Sequence, residues 1–355
     1  MSKIVFTSDS RITCVAYDHS NQTWCLGTWK GDIIVLDGFF RRVRSWIGHL
    51  TIGGVTLIFL SDGSLLSGSV NGVVKRWGRI KDPSFVEEPP LVEEPPLVVW
   101  ARDLRRGPVD ALAELPGGRV ATGCEDGTVR VLDLGTGHEI MVCRGHSSWV
   151  SAVISLGDLC AGTKVYTTFA SGSPDGTIRV WTTSPIGGAS EAEGGISSHV
   201  TPGRVVEVGS GVRSLSLSPC GGMVAAGCFD GSVHLFRLPG WDTMWSVTVH
   251  MDVVNSVSFS PDGRFLASGS FDRTVKIFCS KTGIVLRTLE GHTERVRSVL
   301  FSWNGTKVVS CSEDKTVRVW SLYPNLERQM ASLIYKMKNE GALKNLYERL
   351  QNYSL

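Results

Sequence analysis

One pattern recurs seven times along the 355 residues and constrains the fold more than any other property of the chain. Its fullest copies are GHTERVRSVLFSWNGTKVVSCSEDKTVRVW (291–320) and HMDVVNSVSFSPDGRFLASGSFDRTVKIF (250–278). Aligning the endings adds SGSPDGTIRVW (171–181), AGCFDGSVHLF (226–236), TGCEDGTVRVL (122–132), SGSVNGVVKRW (67–77) and LGTWKGDIIVL (26–36). The closing residues Leu36, Trp77, Leu132, Trp181, Phe236, Phe278 and Trp320 are spaced by 41, 55, 49, 55, 42 and 42 residues. The three longer intervals contain insertions at 81–96, 157–163 and 184–203. All three are rich in Gly, Pro, Ser or Glu, which predicts surface loops.

Within a copy, VVNSVSFS and TVKIF are β-branched, apolar or alternating, as strands require, and SPDGR and FDRT are turn formers between them. A period of ~40–45 residues is that of a four-stranded propeller blade. One blade cannot bury both faces of its sheet, whereas seven around an axis cover one another. The expected fold is therefore all-β, a seven-bladed β-propeller of four-stranded antiparallel blades. The last copy ends at Trp320 one strand short. Residues Lys3–Thr7 (KIVFT) precede the first copy and are predicted to supply that outermost strand, closing the ring. Glycine fits this reading: 40 residues, about one in nine, is well above the ~7% norm and marks many tight turns.

These residues resemble the WD-repeat β-propeller family over about 1–322. In that family a blade can carry a hydrogen-bond chain from a GH histidine through a turn Asp and a strand Ser or Thr to the Trp. The resemblance implies such structural networks at His292, Asp314, Ser310 and Trp320, and at His146, Asp175, Ser171 and Trp181. The second copy has His49, Ser67 and Trp77, with Asn71 at the Asp place. The sixth has His250, Asp272 and Ser268, but Phe278 cannot donate. The first has Lys30 and Leu36 at the Asp and Trp places, so no network is expected there. A His–Asp–Ser trio also imitates a catalytic triad. A constellation repeated at one offset in several blades fits a structural role instead. No GxSxG, HExxH or phosphate-binding loop occurs. No enzymatic activity, cofactor or metal is expected.

Two units follow: a propeller over 1–323 and a tail over 324–355. In the tail, Leu326, Met330, Leu333, Ile334 and Met337, then Leu343, Leu346, Tyr347 and Leu350, recur at helical spacing. This predicts two short amphipathic helices, which need a surface to lie on. The formal charge of +2 argues against a nucleic-acid polyanion as main partner. The tail, with five cations and three anions, carries that excess. Arg41, Arg42, Arg44, Lys75, Arg76, Arg79, Lys81, Arg102, Arg105 and Arg106 form basic clusters at the outer edge of blades 1–3. Nucleic acid, if bound at all, would meet the protein there. Nine scattered cysteines without a CxxC pair read as buried thiols in a reducing compartment. No secretory leader or membrane-length apolar run is visible, so an intracellular, cytoplasmic protein is expected, with nuclear residence left open.

The resemblance implies a non-catalytic interaction scaffold or adaptor that recruits proteins or peptides through the turn-rich face. The residue before each Asp-equivalent should look out from that face: Trp29, Val70, Glu125, Pro174, Phe229, Phe271 and Glu313. So should the third residue after each GH-equivalent His: Ile52, Trp149, Val253 and Arg295. Two alternatives stay open. One is a structural subunit of a large assembly (RNP, cytoskeletal or trafficking), anchored by the tail and the basic rim. The other is a ubiquitin-ligase substrate adaptor, against which the missing WDxR signature counts. The duplicated VEEPPLVEEPPL strip reads as a spacer or a docking strip.

Overall fold

The computed structural model describes residues 2–18, 20–50, 52–80, 96–104, 107–161, 164–183, 197–200 and 203–322. These residues form seven sheets arranged as the blades of a propeller. Blade 1 runs Ile12–Asp18, Thr23–Thr28, Asp32–Leu36 and Arg42–Ile47 from the axis outward. Blade 2 (from Val55–Phe59 to Val98–Asp103), blade 5 (from Val212–Leu217 to Asp242–Thr248) and blade 6 (from Val254–Phe259 to Val285–Leu289) repeat this order of four antiparallel neighbours, and blade 3 runs from Val109–Leu115 to Glu139–Cys143. Blade 7 is built from both ends of the propeller sequence. Val296–Phe301, Lys307–Ser312 and Thr316–Ser321 pair in sequence, and the N-terminal strand Ser2–Thr7 completes the sheet antiparallel to Thr316–Ser321. The register runs from Ser2 opposite Trp320 to Thr7 opposite Thr316. The ring is closed by β-pairing, as strand counting predicts.

Each blade's second strand carries a small residue where the next blade's inner strand presses in. The glycine at this point is Gly27, Gly68, Gly123, Gly172, Gly227 and Gly269 in blades 1–6. A Cβ there would come within 2.5–3.0 Å of the neighbouring Val55, Val109, Val150, Val212, Val254 or Val296. Blade-to-blade spacing thus depends on a missing side chain. In blade 7 the place is taken by Cys311, which packs with Ile12 of blade 1 in one buried cluster. The turn between second and third strands needs a left-handed residue in every blade. Five blades use Gly31, Gly72, Gly127, Gly176 and Gly231, while blades 6 and 7 use Arg273 (φ 71°) and Lys315 (φ 67°).

Two insertions differ from the loops expected. Residues 157–161 and 164–167 are strand, lengthening one hairpin of blade 4 (Ala152–Ala161 against Lys164–Gly172) past the ordinary blade edge. Its β-branched run VYTT sustains the pairing, and Thr167 Oγ1 donates to Asp158 Oδ1 at 2.9 Å. From the 184–203 insertion, Ser197–Val200 lies parallel to the outer strand of blade 3, Glu139–Cys143. The outer strand of blade 4 itself is Arg204–Glu207.

The 81–95 stretch lies outside the described residues, as do Lys81, Arg105 and Arg106 of the basic clusters. So does the entire tail from 324, including Leu326, Met330, Leu333, Ile334, Met337, Leu343, Leu346, Tyr347 and Leu350. Among the described residues, no helix is long and apolar enough to cross a membrane.

Candidate functional site

Alternation of strand direction puts two kinds of connection on one face of the ring. These are the turns between second and third strands, and the loops that lead from one blade's outer strand into the next blade. The His–Asp chains tie the two together. His146 Nδ1 lies 2.8 Å from Asp175 Oδ2, His250 Nδ1 2.8 Å from Asp272 Oδ2, and His292 Nδ1 2.7 Å from Asp314 Oδ2. A carboxylate only accepts, so Nδ1–H donates and Nε2 accepts from Ser O–H. Nε2 is 2.8 Å from Ser171 Oγ, 2.7 Å from Ser268 Oγ and 2.8 Å from Ser310 Oγ. Trp181 and Trp320 then donate to their serines at 2.8 Å, while Phe278 of blade 6 cannot. Blade 2 has the His49–Ser67–Trp77 part, each link 2.8 Å. Its Asn71 bonds Ser69 Oγ instead of the histidine.

Ser171, Ser268 and Ser310 are wholly buried, and in blades 4 and 7 the serine oxygen is taken by an indole donor. None of these serines is open to a substrate, so the trio holds loops rather than cutting bonds. Burial alone would raise the Asp272 and Asp314 carboxyls. Hydrogen bonds from His250 and Thr274, and from His292 and Thr316, outweigh it and hold both far below the usual carboxylate range.

His49 lacks such a carboxylate. Burial, with the Lys75 ammonium nearby, pushes its imidazole down to about 4. A group whose folded pKa lies below its unfolded value of about 6.5 leaves stability intact above pH 6.5. As pH falls from 6.5 to 4 the unfolded chain takes the proton first, and about 3 kcal/mol is lost. Burial lowers His146 in the same direction, so a variant is needed to isolate the effect. His49→Gln should flatten the urea midpoint over pH 6.5–4 relative to the parent. An identical pH profile would contradict this assignment.

The candidate recognition residues fall into two rings on this face. In the turns, the backbone N–H of Trp29, Glu125, Phe229, Phe271 and Glu313 donates to the residue just before an inner strand: Arg11, Pro108, Gly211, Val253 and Arg295. This repeated bond seats the turn at the mouth of the central channel. Trp29 and Val70 line the channel itself. Val70, Pro174, Phe229 and Val253 are half-buried. Phe229 meets Trp149 edge-on at 6.2 Å. Phe271 lies under two guanidiniums, Arg295 at 4.7 Å and Arg297 at 4.9 Å. Arg11 stands 6.0 Å from the Trp29 ring and 3.5 Å from Glu313. Glu313 also accepts from Arg297 Nε at 2.6 Å and is held inside this cluster. Glu125 remains exposed.

In the loops, exposed apolar side chains accumulate: Met251 is 98% exposed, Leu50 90%, Ile52 79% and Trp149 38%. Leu50 and Met251 escape a reading that counts three residues past the histidine. They follow it directly, and the signal was the large apolar residue after His49 and His250, where the other two copies have Ser147 and Thr293.

Below the mouth, the channel is lined by the residue that follows each of the buried Ile12, Val55, Val109, Val150, Val212, Val254 and Val296. Thr13, Thr56 and Ser151 contribute hydroxyls; Asp110, Arg213, Asn255 and Arg297 contribute charge and amide. In five blades the strand ladder slips at this residue: between Ile12 and Cys14, Val109 and Ala111, Val212 and Ser214, Val254 and Ser256, and Val296 and Ser298. Such bulges re-aim the extra side chain. The volume of this open cavity is about 290 Å³.

The basic clusters are largely occupied within the fold. Arg76 bonds Asp62 and the Leu134 carbonyl, and Lys75 bonds the Gly48 carbonyl. Arg41 pairs with Asp37, and Arg102 bonds the Thr136 carbonyl. Among the described residues no three His, Cys, Asp or Glu side chains gather as a metal site would require.

No curated protein matches the chain. The family model "WD domain, G-beta repeat" matches four stretches, residues 137–182, 202–237, 241–279 and 283–321. These stretches run from the outer edge of blade 3 to the end of blade 7, and blades 1 and 2 continue the same geometry. The chain is thus a seven-bladed β-propeller closed on an N-terminal strand, with WD40 repeats matched in four places.

Proposed function

We propose that the protein is a non-catalytic scaffold that captures partner proteins or peptides on the face carrying the His–Asp loops. Propellers of this family are generally protein-interaction scaffolds. One observation carries the reading for this chain: Leu50, Ile52, Trp149 and Met251 stand exposed on loops of a single face. Isolated exposed apolar residues are ordinary, but several on one rim mark an interface. Buried histidine chains beneath, His–Asp–Ser under Trp149 and Met251 and His49–Ser67 under Leu50 and Ile52, keep those loops in place before a partner arrives, which lowers the ordering cost of binding.

The test is affinity capture with three forms of the chain: the parent, a Trp149→Ala/Met251→Ser double variant, and a chain ending at 323. The double variant should lose at least tenfold of the captured partners while its melting temperature stays within a few degrees, since Met251 is almost fully exposed and Trp149 lies outside the buried clusters, touching the Phe229 ring edge. The tail-deleted chain should keep them. If the tail deletion releases the partners and the double variant retains them, the protein is instead a subunit anchored through its tail.

A further inference from the structure

The channel ring is divided between groups that are used and groups that are not. Thr13 Oγ1 donates to the carbonyls of Gly27 (3.1 Å) and Val55 (3.0 Å). Ser151 Oγ donates to Val212 (2.6 Å) and Gly172 (3.1 Å). These hydroxyls stitch neighbouring blades. Arg297 is fixed by Glu313 and the Phe271 ring. Thr56 Oγ1 makes no side-chain hydrogen bond among the described residues and, as a hydroxyl, can turn to donate or accept. Three further groups remain. Asn255, 8% exposed, spends its amide N–H on the Arg297 carbonyl, and its Oδ1 has no partner. Arg213 makes a single 3.5 Å contact, to the Ser151 carbonyl, among the described residues. Asp110 lies deep in the same cavity, with no ion pair to Arg213 within 4 Å.

A buried acceptor without a donor is destabilising, and charges held away from water are more so unless paired. The throat thus presents one donor fork, Arg213, two free acceptors, Asn255 Oδ1 and the Asp110 carboxylate, and the Thr56 hydroxyl, which can serve either way. Its uncommitted charges, one positive and one negative, cancel. A carboxylate entering it would meet Asp110, and an ammonium or guanidinium would meet Arg213. A primary carboxamide matches all three groups: its oxygen accepts from Arg213, and its two N–H donors face two acceptors. It also enters without the desolvation cost of a full charge.

We infer that the throat is a pocket for a carboxamide side chain, the tip of an Asn- or Gln-bearing loop on the captured partner. This rests on the face above being the recognition face, and it names the group that face admits to the channel. The seven-blade register supplies the specificity, because each blade places one side chain on the axis and blades 3, 5 and 6 leave theirs unspent, with the adaptable Thr56 hydroxyl of blade 2 beside them.

The experiment titrates three blocked amino acids into the full chain: N-acetyl-glutamine, N-acetyl-glutamate and Nα-acetyl-lysine, each as the methylamide. It follows the Asn255 side-chain amide and Arg213 Nε resonances by NMR. The glutamine probe should saturate with a dissociation constant in the millimolar range (~1–10 mM), as expected for so few atoms. The other two should bind at least tenfold more weakly. Arg213→Met should weaken the glutamine probe at least tenfold, and Asp110→Asn should bring glutamate to within about threefold of glutamine. The ranking on the unmodified chain needs no variant, so misfolding cannot hide the answer. Three probes within threefold of one another, or no saturation by the glutamine probe at about 0.1 M, overturns the proposal. If the probes rank as expected while the Trp149/Met251 double variant keeps its partners, the pocket stands and the face reading falls. If the double variant loses its partners and no probe binds, the face stands and the pocket falls.

Discussion

Deleting residues 1–8 should cost the ring about 4–6 kcal/mol and lower its melting temperature by roughly 10 °C. The strand Ser2–Thr7 is the outer edge of blade 7, and Ser8 N donates to the Lys315 carbonyl at 2.8 Å just beyond it. Val5 and Phe6 pack on the cluster that joins Ile12, Trp24 and Leu36 of blade 1 to Val309, Cys311 and Val317 of blade 7. Removing the strand strips a row of ladder hydrogen bonds, worth ~0.5–1.5 kcal/mol each, and uncovers that cluster. It also turns Thr316–Ser321 into an open edge that invites aggregation. The loss is a large part of the 5–15 kcal/mol that holds a typical domain folded. A cooperative melt unchanged by the deletion would mean that the ring closes without it.

Trp320→Ala is the second large effect, about 3–5 kcal/mol in urea unfolding. The indole is 3% exposed, packs with Val296, Val299, Phe301 and Val308, and donates to Ser310. Alanine leaves a cavity and orphans one link of the His292–Asp314 chain. Blade 6 provides an internal control. Phe278 occupies the equivalent place there and is fully buried, with His250, Ser268 and Asp272 still joined. Trp320→Phe should therefore cost only ~1–2 kcal/mol, chiefly the hydrogen bond. Equal losses for the two variants would mean that the indole N–H, not its volume, dominates.

The repeated parts of this molecule were legible because repetition records what every blade must do. The turn Asp meets a histidine wherever both occur, whereas the Gly at 27, 68, 123, 172, 227 and 269, read from sequence only as part of a turn-rich composition, makes room for the next blade. The N-terminal strand followed from counting. The turn tips were expected to look out from the turn-rich face; their chemistry at the channel mouth was not legible, since arginines cover Phe271 and hold Glu313, and these contacts cross blades in ways no single copy encodes. The throat was invisible for a related reason. Its ring reads Thr13, Thr56, Asp110, Ser151, Arg213, Asn255 and Arg297, one residue per copy. It differs at each turn because those side chains face the axis rather than a repeated neighbour. Aligning copies for likeness discards that position, although seven polar residues beside an invariably buried aliphatic one (Ile12, Val55, Val109, Val150, Val212, Val254, Val296) are a signal once sought. The extended hairpin of blade 4 was missed because GDLCAGT holds two glycines and reads as a loop, whereas the strand that answers it is β-branched.

Hydrogen exchange on the free chain and on the chain bound to its captured partner tests the central claim most directly. The account predicts new protection at 49–54, 146–150, 250–253 and 292–295, the loops of the His–Asp face, with the opposite face unchanged. Protection confined to the tail or to the outer strands of blades 1–3 would contradict it.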